Sequence, residues 1–316
     1  MFGSHLSIAG DMTNALREGE RLGMDTVQVF TKNQQQWRVA PLADELVHAW
    51  KGEIARLSWE GRTVSHASYL INLASPDDEL WKKSIDLMRV EIERCEALEI
   101  PFLVHHPGAY TTSDAPSGLG RIADAYRELF KSTRGFRCVS CLEDTAGAGS
   151  HLGRTLEELA DLRRRIIDAA GTPERVGFCL DTCHLHAGGY DLTTRKGGEE
   201  VLDRFGNLCG METLRVLHMN DSKGACGSRL DRHAHIGEGT IGGSTNDATL
   251  RASGFAAFVN HPALKNVPKI LETPKEDTEA GTPMDVVNLA RLRRLVEAPG
   301  GTGERGAKRP KSRRTP

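Results

Sequence analysis

The sequence predicts the α/β class, most simply a closed (β/α)8 TIM barrel with a metal site at the C-terminal face of its strands. Three observations predict it. Eight short apolar runs alternate with eight helical patterns across the chain, which is the signature of parallel βα units. The connections that leave strands look longer than those that enter them, and long loops on that face carry function in barrels. The last six strand runs, one after another, finish on or carry an imidazole or carboxylate. An open doubly wound sheet is the alternative for the same alternation.

Taken in order, the first strand is expected at 2–6, with His5 near its end, followed by a helix at 11–22. The second, at 26–30, leads through a loop at 31–40 to a helix at 41–58. The third, at 63–66, ends on His66 and is followed by a loop at 67–77. The helix at 78–98 is the clearest, because Leu80, Ile85, Met88, Ile92 and Leu98 keep near helical period after the start signal Ser75-Pro76-Asp77-Asp78. A strand at 102–106 ends in His105-His106-Pro107, with a loop at 107–118 and a helix at 119–132. A strand at 138–143 ends on Glu143, before a loop at 144–152 and a helix at 155–169. The run at 176–181 is apolar until it stops at Asp181, and His184 follows three residues later; an Asp capping the next helix beside an incidental His is the bland alternative. A loop at 182–195 and a helix at 198–209 come next. The strand at 214–219 carries His218, and its loop at 220–247 adds Asp231-Arg232-His233 before a helix at 248–260. The strand at 269–272 ends on Glu272, ahead of a helix at 284–295.

Composition narrows the function classes. A charged fraction of 27% and a hydrophobic fraction of 39% are ordinary for a globular protein. No apolar run reaches membrane-spanning length, and Met1-Phe-Gly-Ser-His5 lacks the basic-then-apolar pattern of an export signal. Seven irregularly spaced cysteines fit a reducing compartment better than a disulfide framework. The expected location is therefore cytoplasmic, nucleoid-associated in a bacterium. A formal net charge of −2 advertises no polyanion partner, so any such site has to be local. Residues 1–297 read as one catalytic domain. From Ala298 the chain is rich in Gly, Pro, Lys and Arg, a disordered basic tail that either attracts phosphates weakly or is merely solvated.

In a closed barrel, neighbouring strand ends lie close together, so His66, His105 or His106, Glu143, Asp181, His184, His218, Asp231, His233 and Glu272 would converge. Convergent carboxylates and imidazoles call for cations to offset their repulsion. With no thiolate in the set, an open site for zinc, manganese or iron is favoured over a closed structural one. Nine side chains exceed what one metal uses, and two or three ions follow at three or four protein ligands each. Such clusters suit attack on phosphate esters.

The segments Phe30-Thr-Lys-Asn-Gln34 with Trp37, His66-Ala-Ser-Tyr69, His106-Pro-Gly108, Leu142-Glu-Asp-Thr-Ala-Gly147, Leu180-Asp-Thr-Cys-His184, His218-Met-Asn-Asp221, Asp231-Arg-His233 and Leu271-Glu-Thr273 resemble endonuclease IV. That family comprises metal-dependent abasic-site endonucleases of base excision repair, within the xylose-isomerase-like TIM barrel superfamily. The resemblance runs from about residue 3 to 295 and implies three zinc ions per chain, with manganese able to substitute. One would sit on His66, His106 and Glu143; a second on Glu143, Asp181, His218 and Glu272; a third on His184, Asp231 and His233. Glu143 and Glu272 are the implied catalytic carboxylates. The implied reaction is multi-metal hydroxide attack on phosphorus 5′ to an abasic site in double-stranded DNA, leaving 3′-hydroxyl and 5′-deoxyribose phosphate ends. Removal of 3′ blocking groups, and a monomeric state, are implied as well. Asn33, Gln35, Tyr69 and Arg232 are the implied DNA contacts. At Gln35 the chain departs from the family, which often has a basic residue there, so one phosphate-attracting charge is lost. A second departure is residues 243–253, which read as an insertion beside the metal-site loop.

Weaker signals remain. Gly237-Glu-Gly239-Thr-Ile-Gly242 matches G-x-G-x-x-G without the strand-turn-helix context of a dinucleotide site. Cys138 and Cys141 have CxxC spacing inside a strand, where two packed thiols are favoured over a zinc or redox pair. His105 is expected to aim away from His106 by strand alternation, and His5 is open between the pocket wall and the core. The competing function is a single-metal sugar isomerase or epimerase using Glu143, Asp181, His218 and Glu272; five further donors would then have no role. A catalytically silent damage binder would need a missing ligand, and none is missing.

Overall fold

The computed structural model describes residues 1–298. In chain order its elements are β1 (Phe2–His5), α1 (Asn14–Arg21), β2 (Thr26–Val29), α2 (Asp44–Leu57), β3 (Val64–His66), α3 (Asp78–Ala97), β4 (Phe102–His105), α4 (Ala115–Ser132), β5 (Val139–Glu143) and α5 (Leu156–Ala170). There follow β6 (Val176–Asp181), α6 (Thr182–Gly188), α7 (Arg195–Cys209), β7 (Leu214–His218), β8 (Asp221–Ser222), β9 (His233–Ala234), α8 (Asp247–Ala252), α9 (Gly254–Asn260), β10 (Lys269–Leu271) and α10 (Met284–Arg293). Eight strands close a parallel barrel in the order β1-β10-β7-β6-β5-β4-β3-β2, as the alternation predicts, and β8 pairs with β9 as a separate antiparallel hairpin. The basic tail expected from residue 298 lies outside the described residues beyond Ala298 itself.

Pairing register and strand pleat together position the site. Val64, Val104, Cys141, Cys179, Val216 and Ile270 form a small buried cluster apart from the main core, one residue from each of six adjacent strands, filling the barrel interior. Side chains in a strand repeat their direction every two residues. Two residues beyond these six, in the same order, stand His66, His106, Glu143, Asp181, His218 and Glu272. The apolar layer is therefore capped by a layer of donors at the C-terminal mouth. The residues between them (Ser65, His105, Leu142, Leu180, Leu217 and Leu271) are buried on the other side, toward the helices.

Several boundaries differ from those expected, for local reasons. α4 begins at Ala115, four residues early, because Asp114 accepts a bond from Ser117 N at 2.8 Å and Pro116 is tolerated in a first turn. The expected loop at 182–195 contains α6, which Asp181 caps. The expected single helix at 248–260 is two, because Ser253 is extended (φ −85°, ψ 169°) between α8, which Asn246 caps, and α9. The expected loop at 220–247 is tied down by the β8–β9 hairpin.

Candidate metal centre

All nine predicted donors meet at the mouth. Glu143, fully buried on β5, lies at the middle: its Oε2 is 3.1 Å from His66 Nε2 and 3.2 Å from His106 Nε2. Its Oε1 is 2.7 Å from His218 Nδ1 and 3.6 Å from His184 Nδ1. His218 Nδ1 also lies 3.2 Å from Glu272 Oε2 and 3.8 Å from Asp181 Oδ2. Asp231 Oδ1 is 3.3 Å from His184 Nε2 and 3.6 Å from His233 Nε2. Asp181 Oδ2 reaches His233 Nε2 at 3.5 Å. Donor atoms of His66, His106 and Glu143 all fall within 4.8 Å of one another, and so do those of Asp181, His184 and His233.

The two readings of Asp181 turn out to be compatible. Its Oδ1 caps α6, accepting from Cys183 N at 2.6 Å and His184 N at 3.2 Å. Its Oδ2 faces the imidazoles and accepts from Asn220 Nδ2 at 2.8 Å.

The outward nitrogens of the rings say what the inward ones are for. His66 Nδ1 donates to the Ala67 carbonyl at 2.8 Å, His184 Nδ1 to Asp144 O at 3.0 Å, and His233 Nδ1 to Glu272 O at 3.1 Å. His218 Nε2 donates to Gln28 Oε1 at 2.8 Å. Each of these four rings thus spends its N–H on an oxygen outside the cluster and aims a lone pair inward at carboxylates. A lone pair against a carboxylate oxygen is repulsive unless a cation lies between them or the ring gains a proton. Carbonyl and amide anchors of this kind commonly fix metal-bound imidazoles. With protons alone to relieve the repulsion, the rings become basic. Burial opposes the charged form of His218, but Glu272 and Glu143 outweigh it and lift the ring to about 9. His66 and His184 shift upward against burial in the same way, through Glu143 and through Asp181 with Asp231 respectively. His233 Nε2, buried without a hydrogen-bond partner, has the same unmet need. The donor set therefore fits divalent cations.

Sequence reasoning missed two residues that tie the donors together. Gln28, between Val27 and Val29 on β2, gives its Nε2 to Glu272 Oε1 at 2.7 Å while its Oε1 holds His218. Asn220 bridges Asp181 and the Glu272 backbone, accepting from Glu272 N at 2.7 Å. His5, left open above, stands behind Glu272 with Nδ1 3.2 Å from Oε1. His105 points outward, its Nε2 2.6 Å from the Tyr126 hydroxyl.

Of the expected DNA contacts, Tyr69 is 62% exposed at the rim, its ring 5.3 Å from that of His66 and 6.1 Å from that of His106. It lines a cavity of about 180 Å³ with His66, His106 and His151. Asn33 and Gln35 are exposed, and Asn33 Oδ1 accepts from Gln35 N at 2.9 Å to shape their turn. Arg232 is exposed and donates to the Asp231 carbonyl at 2.7 Å. Lys32, next to Asn33, is buried in an ion pair with Glu91 at 3.1 Å, so its charge is spent inside the protein. Cys138 packs in the outer core and Cys141 inside the barrel, so the CxxC spacing makes no site. The glycine-rich 237–242 segment wraps a carboxylate of its own chain: Asp221 accepts from Gly237, Ile241 and Gly242 N–H at 2.9, 2.9 and 3.1 Å.

Comparison with known proteins accords with this geometry. The xylose isomerase-like TIM barrel family matches residues 16–288. A protein of Chloroflexus aurantiacus named probable endonuclease 4 is 41% identical over 296 residues, covering 94% of this chain and 98% of that one. The chain belongs to the endonuclease IV family. It is therefore an enzyme of the metal-dependent endonuclease class that serves DNA repair. A Geobacter sulfurreducens endonuclease IV relative, also named probable endonuclease 4, is 40% identical over 93% of this chain and 94% of its own length. The crystal structure of endonuclease IV from Thermus thermophilus superposes with a TM-score of 0.77 at 34% identity, covering 93% of this chain and 98% of that one. A D-tagatose 3-epimerase-like protein superposes at 0.64 with 18% identity and shares the fold alone. Among the described residues no helix is long and apolar enough to cross a membrane.

Proposed function

We propose that this chain hydrolyses the phosphodiester 5′ to abasic sites in double-stranded DNA, leaving a 3′-hydroxyl and a 5′-deoxyribose phosphate, and that it also clears 3′-blocked ends. The observation that carries the reading is the surplus of donors: nine side chains within one mouth, sharing Glu143, where a one-metal isomerase would use four. Zinc fits the nitrogen–oxygen set in up to three positions, with manganese as a substitute. Held there, such ions lower the pKa of a bound water and offset charge on the oxygen that leaves phosphorus.

The chain's own contribution is placement. Glu143 presents one oxygen to His66 and His106 and the other to His218, so a single rigid carboxylate sets the spacing of the donor groups. Glu272 is 12% exposed where Glu143 is fully buried, and in this reading it would accept a proton from the attacking water. Gln28, His5 and Asn220 hold it in that position. Tyr69 offers a ring face to the gap an absent base leaves in the stack, while Asn33, Gln35 and Arg232 approach the strands from two sides; a missing base makes exposure of the sugar cheap.

The test uses a duplex with one abasic site and a label on the damaged strand. Chelation-sensitive cutting on the 5′ side, giving an end that a DNA polymerase extends, is expected. Cutting on the 3′ side, or an intact strand in the presence of zinc, would refute the reading.

A further inference from the structure

We propose a second metal site, built by His186, Asp191 and Cys226 and suited to a soft divalent cation of the zinc type, which staples the loop bearing Asp231 to the helix bearing His184. The donor atoms of these three residues lie within 4.8 Å of one another. A thiolate, an imidazole and a carboxylate on a tetrahedral ion leave one position for water, which the exposure of Asp191 and Cys226 admits.

Each donor is held for the role. His186 sits in the last turn of α6, fully buried, and its Nε2 has no hydrogen-bond partner. Its Nδ1 accepts only a long bond, 3.3 Å, from Leu192 N, and ligation through either nitrogen surrenders no more than that contact. Asp191 uses Oδ1 to accept from Thr193 N at 2.9 Å and Thr193 Oγ1 at 2.7 Å, which fixes the carboxylate and leaves Oδ2 for an ion. The loop carrying Cys226 is clipped to the same helix by Gly227 N donating to His186 O at 3.0 Å and Arg229 N to Ala187 O at 2.9 Å. The Cys226 thiol is held up first by partial burial and then by the Asp191 charge; a cation between them reverses that repulsion.

The site is separate from the main cluster although His184 and His186 share α6. Two residues are about 200° apart around a helix, so the two rings face opposite ways, His184 toward Asp231 and His186 toward Asp191. An ion here would limit the motion of the 223–233 segment, which ends in Asp231, Arg232 and His233.

The probe is cobalt(II), added to chelated full-length protein. A thiolate-to-cobalt charge-transfer band in the near ultraviolet is expected. Cys226→Ser, at an exposed position that folding tolerates, should abolish the band and lower bound cobalt by one per chain; Asp191→Asn, which keeps the Thr193 contacts, should weaken cobalt retention. A band and a stoichiometry that Cys226→Ser leaves unchanged would place the thiolate ligand elsewhere and overturn the proposal. The readouts involve no DNA, so their failure would leave the proposed nuclease activity untouched.

Discussion

His105 and His106 are adjacent in sequence and chemically opposite in the fold. His106 turns into the barrel mouth, while His105 turns out, its Nε2 accepting from the Tyr126 hydroxyl and its Nδ1–H donating to the His106 carbonyl at 2.9 Å. Burial holds His105 down to about 4, so it stays neutral. Its folded pKa lies below the unfolded value near 6.5, so the unfolded chain takes up the proton first and stability falls as pH drops from about 6.5 toward 4. The penalty for His105→Gln, measured by urea unfolding, should therefore be smaller at pH 5 than at pH 7 by about 2 kcal/mol; an equal penalty at both pH values would mean that the ring titrates normally. Gln28 makes a second case. Gln28→Leu keeps the volume and removes the bonds to Glu272 and His218, and should lower zinc affinity or cutting rate by roughly 10–100-fold. Elemental analysis after dialysis would show it, and unchanged retention would exclude the role. Nothing in the sequence marks Gln28, because one polar residue in a strand is what ordinary alternation supplies.

Among the elements, the barrel strands were the most legible, since six of the eight read apolar residue, spacer, donor: Val64-Ser-His66, Cys179-Leu-Asp181 and Ile270-Leu-Glu272 are three of those runs. Period two then decides which residues share the mouth. The connections were less legible because side chains shape them. Asp181 starts α6, as the capping alternative had it, while Asp114 starts α4 early by accepting from a backbone group that no apolar spacing reveals. The 237–242 segment is the clearest instance: four backbone N–H groups, those of Ser222, Gly237, Ile241 and Gly242, converge on buried Asp221. A Cβ on Gly239 would collide with the Ser222 carbonyl oxygen. Asp221→Asn turns an amide NH2 toward two of those donors and should destabilise the protein by roughly 2–4 kcal/mol. Hydrogen exchange should accelerate first at 237–242; uniform exchange across the barrel would point to a different cause. In the 31–37 loop, the Lys32–Glu91 pair leaves Gln35 without a cationic neighbour supplied by Lys32. Gln35→Arg should steepen the salt dependence of binding to abasic duplex by about one unit of log–log slope, and an unchanged slope would remove Gln35 from the DNA contacts.

At the scale of the whole molecule, the fold serves to bring distant residues to one place: His66 and Glu272 are separated by most of the chain and stand around the same carboxylate. The cluster links six of the barrel's strand-and-loop units, so ions bound there bind the folded state alone and stabilise it. Prolonged chelation should lower the melting temperature by at least about 5 °C, taking ions at a hundredfold excess over Kd and the scaling for a domain of this size; an unshifted melt would deny tight binding. The proposed reaction needs several cations acting together in one mouth. Refilling chelated protein with zinc, while reading bound zinc and cutting of an abasic duplex in the same samples, tests that directly. Cutting on the 5′ side should rise with occupancy and level off only at about three equivalents, counted in Cys226→Ser protein so that no ion is held by that thiol. Full cutting with a single bound ion, or a filled site that leaves the duplex intact, would contradict it.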